Sequence, residues 1–191
     1  MKLSAVIPCF SVTEDLKDMA LDCAKRIRDQ VDELIITEDS DRYWSDLHQI
    51  ADHYLLHPRL GYTKNSNLGW KMATGNYVAQ INSDALLLEG NMRDLMVEGI
   101  GVPWVIEAMQ QNRGSTSQAI GIFFVVPRPV FEKWGVWDVT FGDDYNTELL
   151  DRYQFHGNPL IRIDSVKVSH PLGGATSYRA LGGFTGRKSM V

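Results

Sequence analysis

The sequence predicts an α/β chain built on one mostly parallel sheet flanked by helices. Three observations carry that prediction. Short apolar runs alternate with amphipathic helical stretches through the first half of the chain. Several of these runs end on polar or acidic residues, as strands do when their carboxyl ends open onto one crevice. The chain has 191 residues, 44% of them apolar, enough for one sizeable core and short of two.

Residues 3–7 form a short strand ended by Pro8, and Ser11-Val12-Thr13-Glu14 offers a capping box for the helix that follows. On that helix Leu16, Met19, Ala20, Cys23 and Ile27 fall on one face at 3.6-residue spacing. A second strand over 34–37 runs into the acidic cluster Glu38-Asp39-Ser40-Asp41. Tyr43, Leu47, Ile50 and Ala51 mark a second amphipathic helix, and 54–56 a third strand. A helix over 65–73 is closed by Thr74-Gly75-Asn76, and "YVAQI" then forms a fourth strand that stops at Asn82-Ser83-Asp84. In the second half, 119–126 reads as a long buried strand and 129–134 as a short helix. A helix from Asp143 to about Phe155 is closed by Gly157, and strands over 160–163 and 166–168 precede His170. The tail from Gly173, with Gly-rich turns and Arg179, Arg187 and Lys188, reads as a loop or lid.

Composition narrows the function classes. A net charge of −5 supplies no global field for nucleic acid or an anionic membrane. Cys9 and Cys23 lack metal-ligand spacing and read as buried thiols, which suits a reducing compartment. The opening "MKLSAVIPCF" has no signal-peptide h-region, and no apolar stretch approaches the roughly 18 residues that span a bilayer. A soluble, cytoplasmic protein is expected, and a homo-oligomer is left open.

Asn82-Ser83-Asp84 sets an amide and a carboxylate two residues apart at a strand end, either as an Asx turn or to hold something. A carboxylate there could ligate a hard divalent cation through oxygen and leave other coordination positions open. The stretches "AVIPCF", "LIITEDS", "NSNLGWKMATGNYVAQINSD", "GIFFVVPRPVFEKWGVWD", "GDDYNTELLDRY" and "VSHPLGG" occur in that order along the chain. In order and spacing they resemble the family 2 inverting glycosyltransferases of the GT-A, Rossmann-like fold, over roughly residues 3–178.

The resemblance implies a GT-A domain over 1–178, with a nucleotide-sugar half to about residue 88, an acceptor half from 89, and a tail over 179–191. It puts Asn82-Ser83-Asp84 in the place of the family's D-x-D motif, with Asp84 as direct ligand of Mn²⁺ or Mg²⁺. His170 would complete the coordination, and its imidazole favours Mn²⁺. Asn82, a neutral amide, suits ribose or a metal-bound water better than the metal. Asp143-Asp144 aligns with the family's acidic pair, so Asp144, with Asp143 as fallback, is the expected base that deprotonates an acceptor hydroxyl. Pro8, Cys9, Phe10, Ser83, and Glu38 or Asp39 would contact the nucleotide, and Lys64 and Asn67 the base or diphosphate. Trp134, Trp137 and Asp138 would line the acceptor side, where aromatic rings suit the apolar faces of sugars.

The bland readings are ordinary ones. An acidic pair caps helices, tryptophans fill cores, acidic clusters are solvated, and a lone His is commonly a surface or core residue. Two rival functions stand beside the transferase, a sugar nucleotidyltransferase and a non-catalytic nucleotide-sugar binder. The first usually shows a Gly-rich basic loop after its first strand, absent from "PCFSVTEDL". UDP is the commonest family nucleotide. The acceptor stays open among a glycan, a lipid-linked sugar, a protein side chain and a modified DNA base.

Overall fold

The computed structural model describes residues 1–106, 121–141 and 148–170. The first half alternates β1 (Leu3–Cys9), α1 (Glu14–Ile27), β2 (Glu33–Glu38), α2 (Ser45–Ile50), β3 (His53–Leu56), α3 (Tyr62–Met72) and β4 (Tyr77–Ile81). There follow β5 (Leu86–Glu89), β6 (Ile100–Val105), β7 (Phe123–Pro127), α4 (Arg128–Trp134), α5 (Glu148–Phe155) and β8 (Leu160–Ser169). All the strands join one 8-stranded sheet in the order β3-β2-β1-β4-β7-β6-β8-β5. The β3-β2-β1-β4 portion is parallel; β7 runs antiparallel to both β4 and β6, and β5 antiparallel to β8.

Alternation along β1 sets the two core layers. Leu3, Ala5, Ile7 and Cys9 face Ala20, Cys23, Ala24 and Ile27 of α1, together with Leu47 of α2. Val6, on the other pleat, packs in a cluster with Trp70 of α3, Phe131 of α4, and Leu149, Leu150 and Tyr153 of α5. The expected face of α1 is thus buried, except that Met19 is only half-buried.

The element boundaries move in several places. Pro8 lies inside β1 and does not end it. β1 pairs with β4 only as far as Val6↔Gln80 while continuing along β2 to Cys9↔Glu38, so Pro8 sits where the strand has become an edge on one side. The cap of α1 is Thr13, whose side chain accepts from Leu16 N; Ser11 instead donates its N–H to Glu38 Oε1 at 2.8 Å. Tyr43 stands outside α2 and is exposed, and α3 begins at Tyr62, three residues before its expected start. The run over 119–126 becomes a strand only at Phe123, with a turn at Gly121-Ile122. The two late strands are one, kinked where the register against β6 shifts between Pro103 and Trp104, a bulge at the position where a proline cannot donate. Residues 143–147 of the helix expected from Asp143, and the tail from Gly173, lie outside the described residues.

Helix α3 rides close on the sheet because Gly69 has no side chain. A Cβ there would stand 2.3 Å from Val6 Cγ1 and 3.3 Å from Thr37 Cγ2, both on fully buried residues. Gly69→Ala gains up to about 1 kcal/mol of helix propensity but forces an overpacked contact that costs about 1–3 kcal/mol. A net loss of roughly 1–2 kcal/mol in urea unfolding is expected. An unchanged or raised midpoint would mean that α3 can lift off the sheet freely.

At the other end of the sheet, Glu33 is buried beside Ser4 and Thr74. It accepts from Ser4 Oγ, from Thr74 N at 2.8 Å and from Thr74 Oγ1 at 2.9 Å, with Lys2 Nζ and His53 Nε2 each 3.5 Å away. Burial pushes this carboxyl up, but the hydrogen bonds from Ser4 and Thr74 and the charge of Lys2 outweigh it, holding Glu33 at about 2 against an ordinary 4.5. A depressed folded-state value stabilises the fold above pH 4.5, and that stabilisation is lost as pH falls from there toward 2. Glu33→Gln is expected to cost about 1–3 kcal/mol at pH 7, with the gap to wild type closing across that acid window. A gap that stays constant from pH 7 to pH 2 would contradict the assignment.

Candidate active site

The carboxyl ends of β1, β2, β4 and β8 supply the candidate site. β4 stops at Ile81, and Ala85 N donates to Asn82 O at 2.9 Å, so Asn82-Ser83-Asp84 makes a tight turn before β5. Ser83 and Asp84 are buried within that turn. β8 brings His170 in from the far side, and its Nε2 lies 3.1 Å from Asp84 Oδ1, with the two side chains 12% and 4% exposed. These residues were named from separate stretches of sequence, and the sheet joins them.

The pair fits a divalent cation. Two donors each about 2.1 Å from one ion and at right angles lie about 3 Å apart. A carboxylate oxygen and an imidazole nitrogen suit Mn²⁺ in particular. Among the described residues no third His, Cys, Asp or Glu completes a metal-holding group with them. Such a pair could leave most of the coordination sphere to ligand oxygens.

The acids at the end of β2 have different work. Asp39 Oδ1 accepts from Leu60 N, and its Oδ2 accepts from Gly61 N at 2.8 Å. It ties down the turn into α3, where Arg59 (φ 62) and Gly61 (φ 83) take left-handed conformations. Glu38 is fully buried, and its Oε1 accepts from Ser11 N at 2.8 Å and Ser40 N at 3.0 Å, while Oε2 has no hydrogen-bond partner among the described residues. Of the two acids, Glu38 is the one that keeps an unused acceptor. Beside it, burial and then the Glu38 charge push the Cys9 thiol well up, so it is an inert packing group. Pro8 is buried in β1, and Phe10 is half-buried beyond its end.

Helix α3 delivers the remaining polar groups. Lys64 is exposed, whereas Thr63, Asn65, Ser66 and Asn67 are buried. Asn67 Nδ2 donates to Trp137 O at 2.8 Å, which spends that amide on the loop after α4, and its Oδ1 has no hydrogen-bond partner among the described residues. Asn65, absent from the expected set, donates to Thr37 O at 2.9 Å and Cys9 O at 3.3 Å, stitching the ends of β1 and β2. The available signal was the run Thr63 to Asn67, in which small polar residues occupy the face where a helix on a sheet normally carries apolar ones.

On the other flank, Trp137 is 3% exposed and packed edge-on to Tyr62 at 5.8 Å and Phe124 at 6.3 Å. Trp134 stacks face to face on His156 at 3.6 Å, with Lys133 Nζ 4.7 Å from its ring. Trp137 is thus covered by protein, whereas Trp134 is half-buried. Asp138 is exposed and accepts from Thr140 N and Oγ1, bonds that hold its carboxyl below the ordinary range. The loop 134–138 is pinned by α5, a contribution the sequence did not signal. Arg152 donates to Trp134 O and Val136 O, Tyr153 Oη to Gly135 O at 2.6 Å, and Glu148 holds both Arg152 and Asp138 N. Asp143 and Asp144 lie outside the described residues, between this loop and α5.

Residues 4–98 match the model of glycosyl transferase family 2. No curated protein matches the chain in sequence. Among solved structures, the mannosyltransferase PcManGT from Pyrobaculum calidifontis, in complex with GDP-Man and Mn²⁺, aligns with a TM-score of 0.65 at 15% identity over 91% of this chain. S. aureus TarS 1–349 in complex with UDP aligns at 0.63, with 11% identity over 88% of the chain. GalNAc-T7 with UDP, GalNAc and Mn²⁺ aligns at 0.67, with 12% identity over 92%. The chain spans 58%, 60% and 45% of those three proteins, and at such identities the likeness is one of fold.

Proposed function

Because the chain belongs to glycosyl transferase family 2, we propose that it moves a sugar from a nucleotide-diphosphate sugar to an acceptor hydroxyl by a single inverting displacement. The observation that carries this reading is the approach of Asp84 and His170 to 3.1 Å at the carboxyl ends of β4 and β8. That is where an open α/β sheet binds its ligand, and the pair suits a cation under a diphosphate. A bound Mn²⁺ would neutralise the charge that grows on the leaving diphosphate as the glycosidic bond breaks. UDP is the first choice of nucleotide; UDP in two of the aligned structures supports it, and GDP-Man in the third makes GDP the rival.

The chain's own groups divide the work. Asp84 and His170 would hold the cation, and Glu38, buried at the end of β2, orders the Ser11 and Ser40 backbone at the nucleotide end of the crevice. Asp39, Asn65 and the Cys9 carbonyl keep the β1, β2 and α3 ends in place around it. The proton of the acceptor hydroxyl passes to Asp144, with Asp143 as fallback, on the face of the sugar away from the diphosphate. Arg152 and Glu148 fix the loop 134–138 that bounds this flank. With buried thiols, and no helix among the described residues long and apolar enough to cross a membrane, a reducing, cytoplasmic setting fits the protein.

The reading is tested by a thermal-shift and calorimetric panel of UDP, GDP, dTDP and CDP, each with and without Mn²⁺. One nucleotide is expected to stabilise the protein only when the metal is present. No metal-linked response to any of the four would sink the transferase assignment. Metal-linked binding without sugar transfer to any offered acceptor would favour a non-catalytic binder.

A further inference from the structure

We propose that Trp44 is a positioning residue for nucleotide recognition: its indole N–H pins the Phe10-Ser11-Val12 turn as the wall against which the nucleoside half of the donor packs. This rests on the nucleotide reading above and deepens it. The sheet order reverses at β1, since β2 and β3 lie to one side of it and β4 to the other. An open α/β sheet binds its ligand at such a switch point, between the loops that leave the two strands. The turn after β4 carries Asp84 of the cation pair, so the turn after β1 is the facing wall. With the diphosphate at the cation and the sugar turned toward the acceptor half, the nucleoside is the part of the donor that meets this wall.

Ser11 is 1% exposed and is held at both of its backbone groups. Its N–H donates to Glu38 Oε1 at 2.8 Å, and its carbonyl accepts from Trp44 Nε1 at 2.8 Å. The two pins differ. Glu38 Oε1 also accepts from Ser40 N at 3.0 Å and is shared between the loops after β1 and β2, whereas the indole carries one proton, can only donate, and commits it to Ser11. Val12 N closes the turn onto Phe10 O at 3.1 Å. Trp44, at the entrance of α2, is itself anchored. Its backbone N–H donates to Tyr54 Oη of β3 at 3.3 Å. Its ring lies 5.8 Å from Lys17 Nζ of α1 and 5.9 Å from the Arg42 guanidinium carbon, and Lys17 is tied to Asp46 of α2 at 3.1 Å. A turn with no regular structure of its own thus takes its rigidity from β3, α1 and α2. A wall ordered in advance costs the ligand no ordering entropy, which is how this indole enters the affinity.

The test is Trp44→Phe, which removes the N–H and keeps a ring beside Lys17 and Arg42; circular dichroism checks that the fold is kept. UDP with Mn²⁺ and uridine alone are each expected to bind about 5–10-fold more weakly, while pyrophosphate with Mn²⁺ stays within about 2-fold of wild type. A merely structural role would not divide the ligand in this way. Equal losses for UDP and pyrophosphate, or UDP affinity kept within about 2-fold, would overturn the proposal. Phe10→Ala checks the route: the double variant should bind UDP within about 2-fold of Phe10→Ala alone, and losses that multiply would place the action of Trp44 outside the turn and overturn it too. A nucleotide-free arm tests the pin itself. The Ser11 and Val12 amides should exchange with deuterium at least about 10-fold faster in Trp44→Phe, with Ile35 and Ile36 of β2 unchanged. Unaltered exchange at Ser11 and Val12 removes the pin whatever binds. Should none of UDP, GDP, dTDP and CDP bind wild type with Mn²⁺, the nucleotide reading falls and takes the recognition role of Trp44 with it. Metal-linked UDP binding that Trp44→Phe leaves intact removes that role alone.

Discussion

Asp144→Asn is expected to keep nucleotide binding within about 2-fold of wild type while turnover falls by roughly 10²–10⁴-fold, the usual contribution of a positioned general base. The substitution preserves shape and removes the proton acceptor, so it discriminates chemistry from binding. Asp144 lies in sequence between the loop held by Arg152 and α5, the element that holds it. Paired measurement of kcat and of donor affinity by calorimetry checks this. If Asp144→Asn retained most of its turnover while Asp143→Asn lost it, the base would move by one residue. Retention in both would remove the acidic pair from the mechanism.

Asp84→Ala should abolish metal-dependent nucleotide binding. The buried carboxylate is the anionic half of the pair with His170, and a lone imidazole is a weak site for a hard cation. The loss of Mn²⁺ affinity should exceed the roughly 10–100-fold that removal of a mere second-shell partner costs. Thermal unfolding without metal is the control, since a variant that binds nothing because it is unfolded proves nothing. Nucleotide binding that stays metal-linked in Asp84→Ala would place the cation elsewhere.

Much of the scaffold was legible because its signals are local. The apolar strand runs of β1 to β4 and the 3.6-residue face of α1 are properties of short windows, and each window folds as it reads. Where the local signal is mixed, less was legible. β5 is four residues long, and β6 carries Gly101 and Pro103, which read as breakers until β7 and β8 pair on either side. β8 reads as two strands because Asp164-Ser165 interrupts its apolar run, whereas the register shift opposite Pro103 makes a bulge of them.

The sequence by itself determined the α/β alternation and the polar strand ends, and it singled out Asp84 and His170 as candidate ligands of a cation. Only the tertiary structure decided that these two meet at 3.1 Å, that Asp39 is spent on the turn before α3 while Glu38 keeps an acceptor, and that Trp137 is a covered ring while Trp134 stacks half-buried on His156. The reason is physical. Periodicity and propensity are set within a few residues along the chain, whereas ligand geometry, burial and hydrogen-bond polarity depend on which distant groups the sheet brings within about 3 Å.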